Sequence, residues 1–362
     1  MRQLLLHARH EVSGAVFVDR AGWQVPSSYS NLDDEVGAVR TAAGVIDLSD
    51  RMKVRVTGPD RVSFLQGVVT QDIEALKPGQ RTYALTLNAK GKVVGDLWVY
   101  ALEDAFLLDL LADESVWVLE HIKKHLVSDD VTLEPLPAVA HLGLHGPLAP
   151  ALLRRVIRDT PAPAPGSFIT FPVDRKRSVL IAASDWFYVP GFAFISWTDS
   201  LDDVWRAVTQ SGPPVGLGAT PVGREAWNTI RIEAGRPRAG VDMDEDTIAL
   251  EARMEPAISF TKGCYVGQEV IARATYQGHM NRLFVGFRVE GDSVPRHGDA
   301  VTVAGQKAGF VTSATYSPTL RYVIAMGYVR RPNDAPGTRV MIDTEGWQLR
   351  AVVVPLPFVA PR

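Results

Sequence analysis

The chain has 362 residues, 46% of them hydrophobic and 22% charged, a formal net charge of −3, and one cysteine. These are ordinary globular proportions with room for two or three domains, and the near-neutral charge offers no basic footprint for nucleic acid. A single thiol excludes an intramolecular disulfide and a four-cysteine zinc or iron–sulfur site.

At the N-terminus only Leu4, Leu5 and Leu6 run together before His7, Arg9, His10 and Glu11 interrupt them, too few for a secretory core. The apolar run from Ala351 to Ala360 is broken by Pro355 and Pro357, far short of the ~20 residues a spanning helix needs. Neither an export signal nor a membrane segment is read, and the cytoplasm is the expected compartment. The eight histidines show no HExxH or comparable spacing, so no metal site is expected.

Val54 and Val56 alternate with polar residues before Gly58-Pro59-Asp60, and Asp60 is placed to cap a short helix carrying Phe64 and Leu65 into Gly67. Thr82 to Asn88 and Lys92 to Tyr100 flank the turn Ala89-Lys90-Gly91, and Phe106 to Leu111 follows, which predicts an antiparallel meander. From Asp113 or Ser115 to Leu126 a helix is predicted, with Val116, Leu119, Ile122 and Leu126 on the sheet-facing side. Pro161, Pro163 and Pro165 make a stiff connector. Val179 to Ala183 and Phe192 to Trp197 read as strands, and Asp199 to Gln210 and Val222 to Gly235 as helices. From Leu283 onward short runs separated by turns predict a separate all-β barrel or jelly roll.

The densest chemistry surrounds Cys264. Lys262, Gly263, Tyr265, Gly267, Gln268 and Glu269 enclose it, and helix-compatible residues follow. A thiol just ahead of a helix N-terminus and beside Lys262 is expected to favour the thiolate. The alternative is a small buried hydrophobe, the commoner fate of a lone intracellular cysteine.

The stretch Lys262 to Arg273, KGCYVGQEVIAR, closely resembles the signature of YgfZ-type proteins. The wider glycine cleavage T-protein-like superfamily is resembled along nearly the whole chain, at Gly44-Val-Ile-Asp-Leu-Ser49, Phe64-Leu-Gln-Gly67, Thr70-Gln-Asp72, Gly95-Asp-Leu97 and Arg231-Ile-Glu-Ala-Gly235 among others. The resemblance implies an α+β, three-domain cloverleaf around a central folate-binding cavity. Residues 1–280 would form two intertwined α+β domains and 281–362 a C-terminal β-barrel. It implies tetrahydrofolate or a derivative as ligand, and iron–sulfur client enzymes as partners, radical tRNA-modifying enzymes among them, served through Cys264 and Lys262; a monomer is the default expectation.

Residue by residue, the resemblance makes Asp96 the carry-over of an acidic residue in aminomethyltransferases. It would hold a folate amine nitrogen or serve as a hairpin carboxylate. Arg231 belongs to a shared helix-end motif. Trp227 stands where an arginine is expected and would stack on the pterin or lie in the core. Arg282 would face the folate carboxylates or sit exposed between domains, and Glu251 would shape the junction or touch ligand. The stretch Tyr188-Val-Pro-Gly-Phe-Ala-Phe194 lacks the glutamates with which aminomethyltransferases read the pteridine. On that ground the expected role is folate-dependent maintenance of iron–sulfur enzymes, with a glycine-cleavage aminomethyltransferase and a non-catalytic folate-binding scaffold as alternatives.

Overall fold

A computed structural model describes residues 1–360 apart from 137–138, 185, 198–199, 214–215 and 278–279; of 276 and 277 it describes the backbone. The helix expected from Asp199 runs Ser200–Thr209, and its first position lies outside the described residues.

Two antiparallel sheets face each other. The first has five strands in the order Arg81–Leu87, Val93–Ala101, Phe106–Leu110, Met52–Thr57 and Thr132–Leu136. The second orders six as Phe168–Pro172, Ser178–Ser184, Gly191–Ser196, Ala140–His145, Gly44–Asp47 and Thr220–Pro221, the last pair parallel. Strand alternation divides each face. Leu97, Val99, Leu108 and Val54 turn outward to pack under the helices Arg61–Val68 and Ser115–Lys124. Leu142, Leu144, Phe194 and Ile181 pack under Ala149–Ile157 and Ser200–Thr209. Tyr100 and Leu107 from one sheet meet Leu180, Ala193 and Ile195 from the other, which joins the inward faces.

The third body is a closed six-stranded barrel, beginning at Arg282–Val289 and ending at Trp347–Val354. Phe284, Met326 and Tyr328 on its outside pack against Leu85, Leu87 and Met243. The α+β architecture with a terminal barrel read from the sequence is the architecture present.

Two local expectations change. Asp60 does not cap the helix Arg61–Val68; its carboxylate accepts instead from the Asp130 backbone N–H at 2.8 Å. There Gly58, at φ +106, lets the chain pass so close that a Cβ would lie 2.0 Å from the Asp130 carbonyl. In Ser115–Lys124 the buried face is Val118, Leu119 and Ile122, while Val116 is exposed with Trp117. The helix is rotated because Val118 packs against the glycine opening at Gly95.

Candidate functional site

Between the sheets lies a cavity of about 130 Å³, and Tyr83, Trp98, Trp186 and Pro237 of its walls also line a neighbouring chamber of about 300 Å³ that reaches the barrel at Phe284. Register explains its floor. Tyr83 pairs with Trp98, and Trp98 with Asp109, so Tyr83, Asp96, Trp98, Tyr100 and Asp109 share one face. Opposite them stand His141, Gly143 and His145 with Ala193. The helix Arg224–Glu233 adds Arg224, Trp227, Asn228 and Arg231.

The walls are aromatic. Tyr83 lies 5.2 Å from Trp98 and 4.6 Å from Trp186 between ring centres. Trp227 meets Phe187 edge-on at 4.4 Å and His145 at 5.1 Å. The Arg81 guanidinium stacks 4.0 Å over Trp98 and donates to the Tyr100 hydroxyl at 2.8 Å.

The polar groups fall into two carboxylate centres. Asp96 accepts from the Tyr83 hydroxyl on Oδ2 at 2.7 Å, while Oδ1 is buried and accepts no hydrogen bond of ordinary geometry, the nearby Ala239 backbone N–H adding to the groups that favour the carboxylate's charge. Burial raises the Asp96 pKa against the opposing pull of Tyr83 and Arg51. Behind it Glu114, 1% exposed, has no partner for either oxygen. Burial and then the Asp96 charge push Glu114 up to about 9, so near neutral pH Glu114 is protonated and adds no second charge.

Asp109 is the other centre. Burial disfavours its charge, but Arg51 Nε at 2.8 Å and Lys53 Nζ at 2.9 Å, both on Oδ1, outweigh that and shift its pKa down. The facing histidines are held neutral. Burial, then Arg81, lowers His145 to about 3, and burial, then Lys53, lowers His141 well below its ordinary value.

Asp96, Trp227 and Arg231 of the expected ligand residues line this cavity. Arg231 is already engaged: it donates to Asp242 at 2.6 Å, to the Arg236 carbonyl at 2.8 Å, to Asn228 and to Ser313, tying its helix to the barrel. Glu251 and Arg282 lie outside it. They pair at 3.1 Å at the mouth of the barrel, where Arg282 also donates to the Asp246 carbonyl and stacks over Tyr328. Arg282 thus stands at the junction with the barrel, off the wall of this cavity.

The Cys264 segment is also elsewhere. Cys264 is exposed, as are Gly263, Glu269 and Arg273, and none of the stretch from Lys262 to Arg273 lines the cavity. Lys262 does not serve the thiol. Its ammonium donates to the carbonyls of Gln66 at 2.5 Å, Val69 at 2.8 Å and Gln71 at 2.8 Å, and burial lowers its pKa to about 8. It thereby satisfies the carbonyl end of the helix Arg61–Val68. Tyr265 is buried in the junction core, and Gln268 accepts from its backbone N–H at 3.3 Å. Gly267, at φ +83, abuts the Asn88 carbonyl and Gly91, so this loop clamps the hairpin that leads to Asp96.

Sequence reading missed Arg51, Lys53, Arg81, Asp109, Glu114, His141 and His145. One signal was available: Asp109 interrupts the apolar run Phe106-Leu-Leu-Asp-Leu110, and a carboxylate at the centre of a buried strand demands partners.

Comparison with known proteins gives a consistent result. Residues 6–262 match the GCVT N-terminal domain and residues 282–360 the glycine cleavage T-protein C-terminal barrel domain. An aminomethyltransferase of Rubrobacter xylanophilus is 34% identical over 99% of this chain and 94% of its own length. That of Chlorobium luteolum is 32% identical over 99% of each. The crystal structure of the glycine cleavage system aminomethyltransferase T from Bartonella henselae superposes with a TM-score of 0.88 at 26% identity, covering 100% of this chain and 99% of that one. No helix among the described residues is long and apolar enough to cross a membrane. These full-length relatives overturn the expectation of a role in iron–sulfur enzyme maintenance through Cys264. The chain belongs to the glycine cleavage T-protein family.

Proposed function

We propose that this chain is a folate-dependent aminomethyltransferase of the glycine cleavage type, working in the cytoplasm. The observation that carries the reading is Asp96: a buried carboxylate anchored on one oxygen by Tyr83, with the other oxygen unpartnered, on the floor of an aromatic cavity. Full-length similarity to aminomethyltransferases supports it.

The residues present fit tetrahydrofolate. A flat heteroaromatic ring matches walls of Trp98, Trp186 and Trp227. Buried polar atoms without partners, namely Asp96 Oδ1, Asp109 Oδ2, Arg81 Nε, Arg238 Nε and His145 Nδ1, await a polar ligand. The adjoining chamber has space for the rest of an extended ligand. When bound, tetrahydrofolate supplies the two amine nitrogens that come to share the one-carbon unit. The methylene carbon exchanges its bonds to the carrier's sulfur and to the amine that leaves as ammonia for bonds to the two folate nitrogens, whose two N–H protons pass to the sulfur, restoring the thiol, and to the ammonia.

In that exchange an amine nitrogen gives up a proton as it takes the carbon, and the departing ammonia takes one up. Asp96 Oδ1 is the group placed to receive and return that proton, and its raised pKa suits it to both directions. Tyr83 fixes the carboxylate's orientation, and Glu114 in its protonated form leaves Asp96 as the ionisable member of the pair. Within the family, the stretch from Lys262 to Glu269 supports a place beside the YgfZ-type branch, and the proposed activity does not depend on it.

The test is ammonia release from an aminomethylated lipoyl carrier protein, with and without tetrahydrofolate. Release that requires both the protein and tetrahydrofolate is the expected result; release indifferent to tetrahydrofolate overturns the proposal.

A further inference from the structure

We infer that Asp242 is a positioning residue for the proposed reaction: held by the barrel, it shapes the turn of residues 238–243 that sets the Ala239 backbone N–H beside the Asp96 carboxylate. This assignment rests on the proposed function, with Asp96 as its proton acceptor. Asp242 lines neither the cavity nor the adjoining chamber, so it acts through the backbone it holds.

Asp242 is buried and bonded on both carboxylate oxygens. The barrel strand Gln306–Ser317 supplies two hydroxyls, Thr312 at 2.5 Å and Ser313 at 2.7 Å, both donating to Oδ1. The Tyr328 hydroxyl, on the strand Tyr322–Arg330, donates to the Asp242 carbonyl at 2.8 Å. From the other side Arg231 Nη1 and the Arg238 backbone N–H donate to Oδ2 at 2.6 and 3.0 Å. The Asp242 N–H donates in turn to the Arg238 carbonyl at 2.7 Å, and that of Gly240 to the Met243 carbonyl at 2.9 Å, which closes the turn around the carboxylate. A buried carboxylate bonded in this way fixes the backbone bonded to it.

The turn carries that geometry to the reacting centre. Pro237 and Arg238 line the cavity with Asp96. Ala239 is buried in one cluster with Leu85 and Leu87, on the strand paired with that of Asp96. Its N–H is among the groups that favour the Asp96 charge. Gly240 comes so close to Glu114 that a Cβ there would lie 3.1 Å from Oε1. One turn anchored on the barrel therefore reaches both carboxylates. The ionisable side chains acting on Asp96 are Tyr83, Arg51, Arg238 and Glu114, and none belongs to the barrel, so a substitution in the barrel tests the turn.

The experiment compares wild type with Tyr328→Phe and with Thr312→Val combined with Ser313→Ala, which remove barrel donors to Asp242 and leave its charge in place. The Asp96 carboxyl is titrated by carbon-13 NMR, its signal identified by its loss in Asp96→Asn, and kcat for one-carbon transfer is followed against pH. In both variants the carboxyl should titrate at higher pH than in wild type, and kcat on the acid limb should fall about threefold to tenfold. A clasp that serves stability alone would lower the urea midpoint and leave the titration and the limb in place, which overturns the assignment. If the double variant does not fold, Tyr328→Phe decides by the same criterion. A moved carboxyl with an unmoved limb removes Asp96 from proton transfer and the assignment with it. Wild type that transfers no carbon overturns the proposed function and the assignment together, whereas active wild type with an unmoved carboxyl in the variants overturns the assignment alone.

Discussion

Tyr83 donates its hydroxyl to Asp96 Oδ2 at 2.7 Å from the neighbouring strand. This bond leaves Oδ1 of a cavity-lining residue without a hydrogen-bond partner and stabilises the ionised carboxylate against burial. Tyr83→Phe removes a pull that lowers the Asp96 pKa, so the pKa rises further. The acid limb of the rate profile should then move to higher pH, measured as kcat against pH. An unmoved limb would show that Asp96 is not the titrating group.

Glu114 carries a stability signature. Its folded pKa of about 9 lies above the ordinary value of 4.5. Between those values folding takes up a proton, so stability falls as pH rises through the window. Glu114→Gln abolishes that dependence and should stabilise the protein on the order of 3 kcal/mol near pH 7, with little effect at pH 4. Urea unfolding at pH 5 and pH 8 measures it; an equal effect at both contradicts the buried neutral acid.

Lys262 and Cys264 separate structure from reactivity. Lys262→Met strands three backbone carbonyls and should cost about 1–3 kcal/mol in unfolding free energy. Cys264→Ser, at an exposed position off the cavity, should leave tetrahydrofolate affinity within about twofold of wild type. A large loss of affinity in Cys264→Ser would return the thiol to the site.

Trp227 forms a wall of the cavity beside Phe187 and His145. Trp227→Ala should weaken tetrahydrofolate binding about tenfold, read by calorimetry. Unchanged binding would make Trp227 a core residue only.

The barrel and the meander were legible because alternation and turn residues are local signals, whereas Asp96 was legible only through the family resemblance carried by Gly95-Asp-Leu97. The cavity was not, because Asp109, Glu114, His145 and Arg81 come from segments that meet only when two sheets stack. Lys262 illustrates the converse. Its nearness to Cys264 in sequence suggested thiol activation, yet three carbonyls nearly 200 residues earlier in the chain claim its ammonium. The cavity that has no carboxylate at Ala193 holds Asp96 and Asp109 on its other face.

The most direct measurement follows one-carbon transfer from an aminomethylated lipoyl carrier to tetrahydrofolate, comparing wild type with Asp96→Asn at equal folate occupancy. Wild-type turnover with a loss of about 10²–10⁴ in kcat for the variant is the expected result. Folate-bound wild type that transfers nothing, or a variant as fast as wild type, would contradict the assignment of Asp96 and the activity built on it.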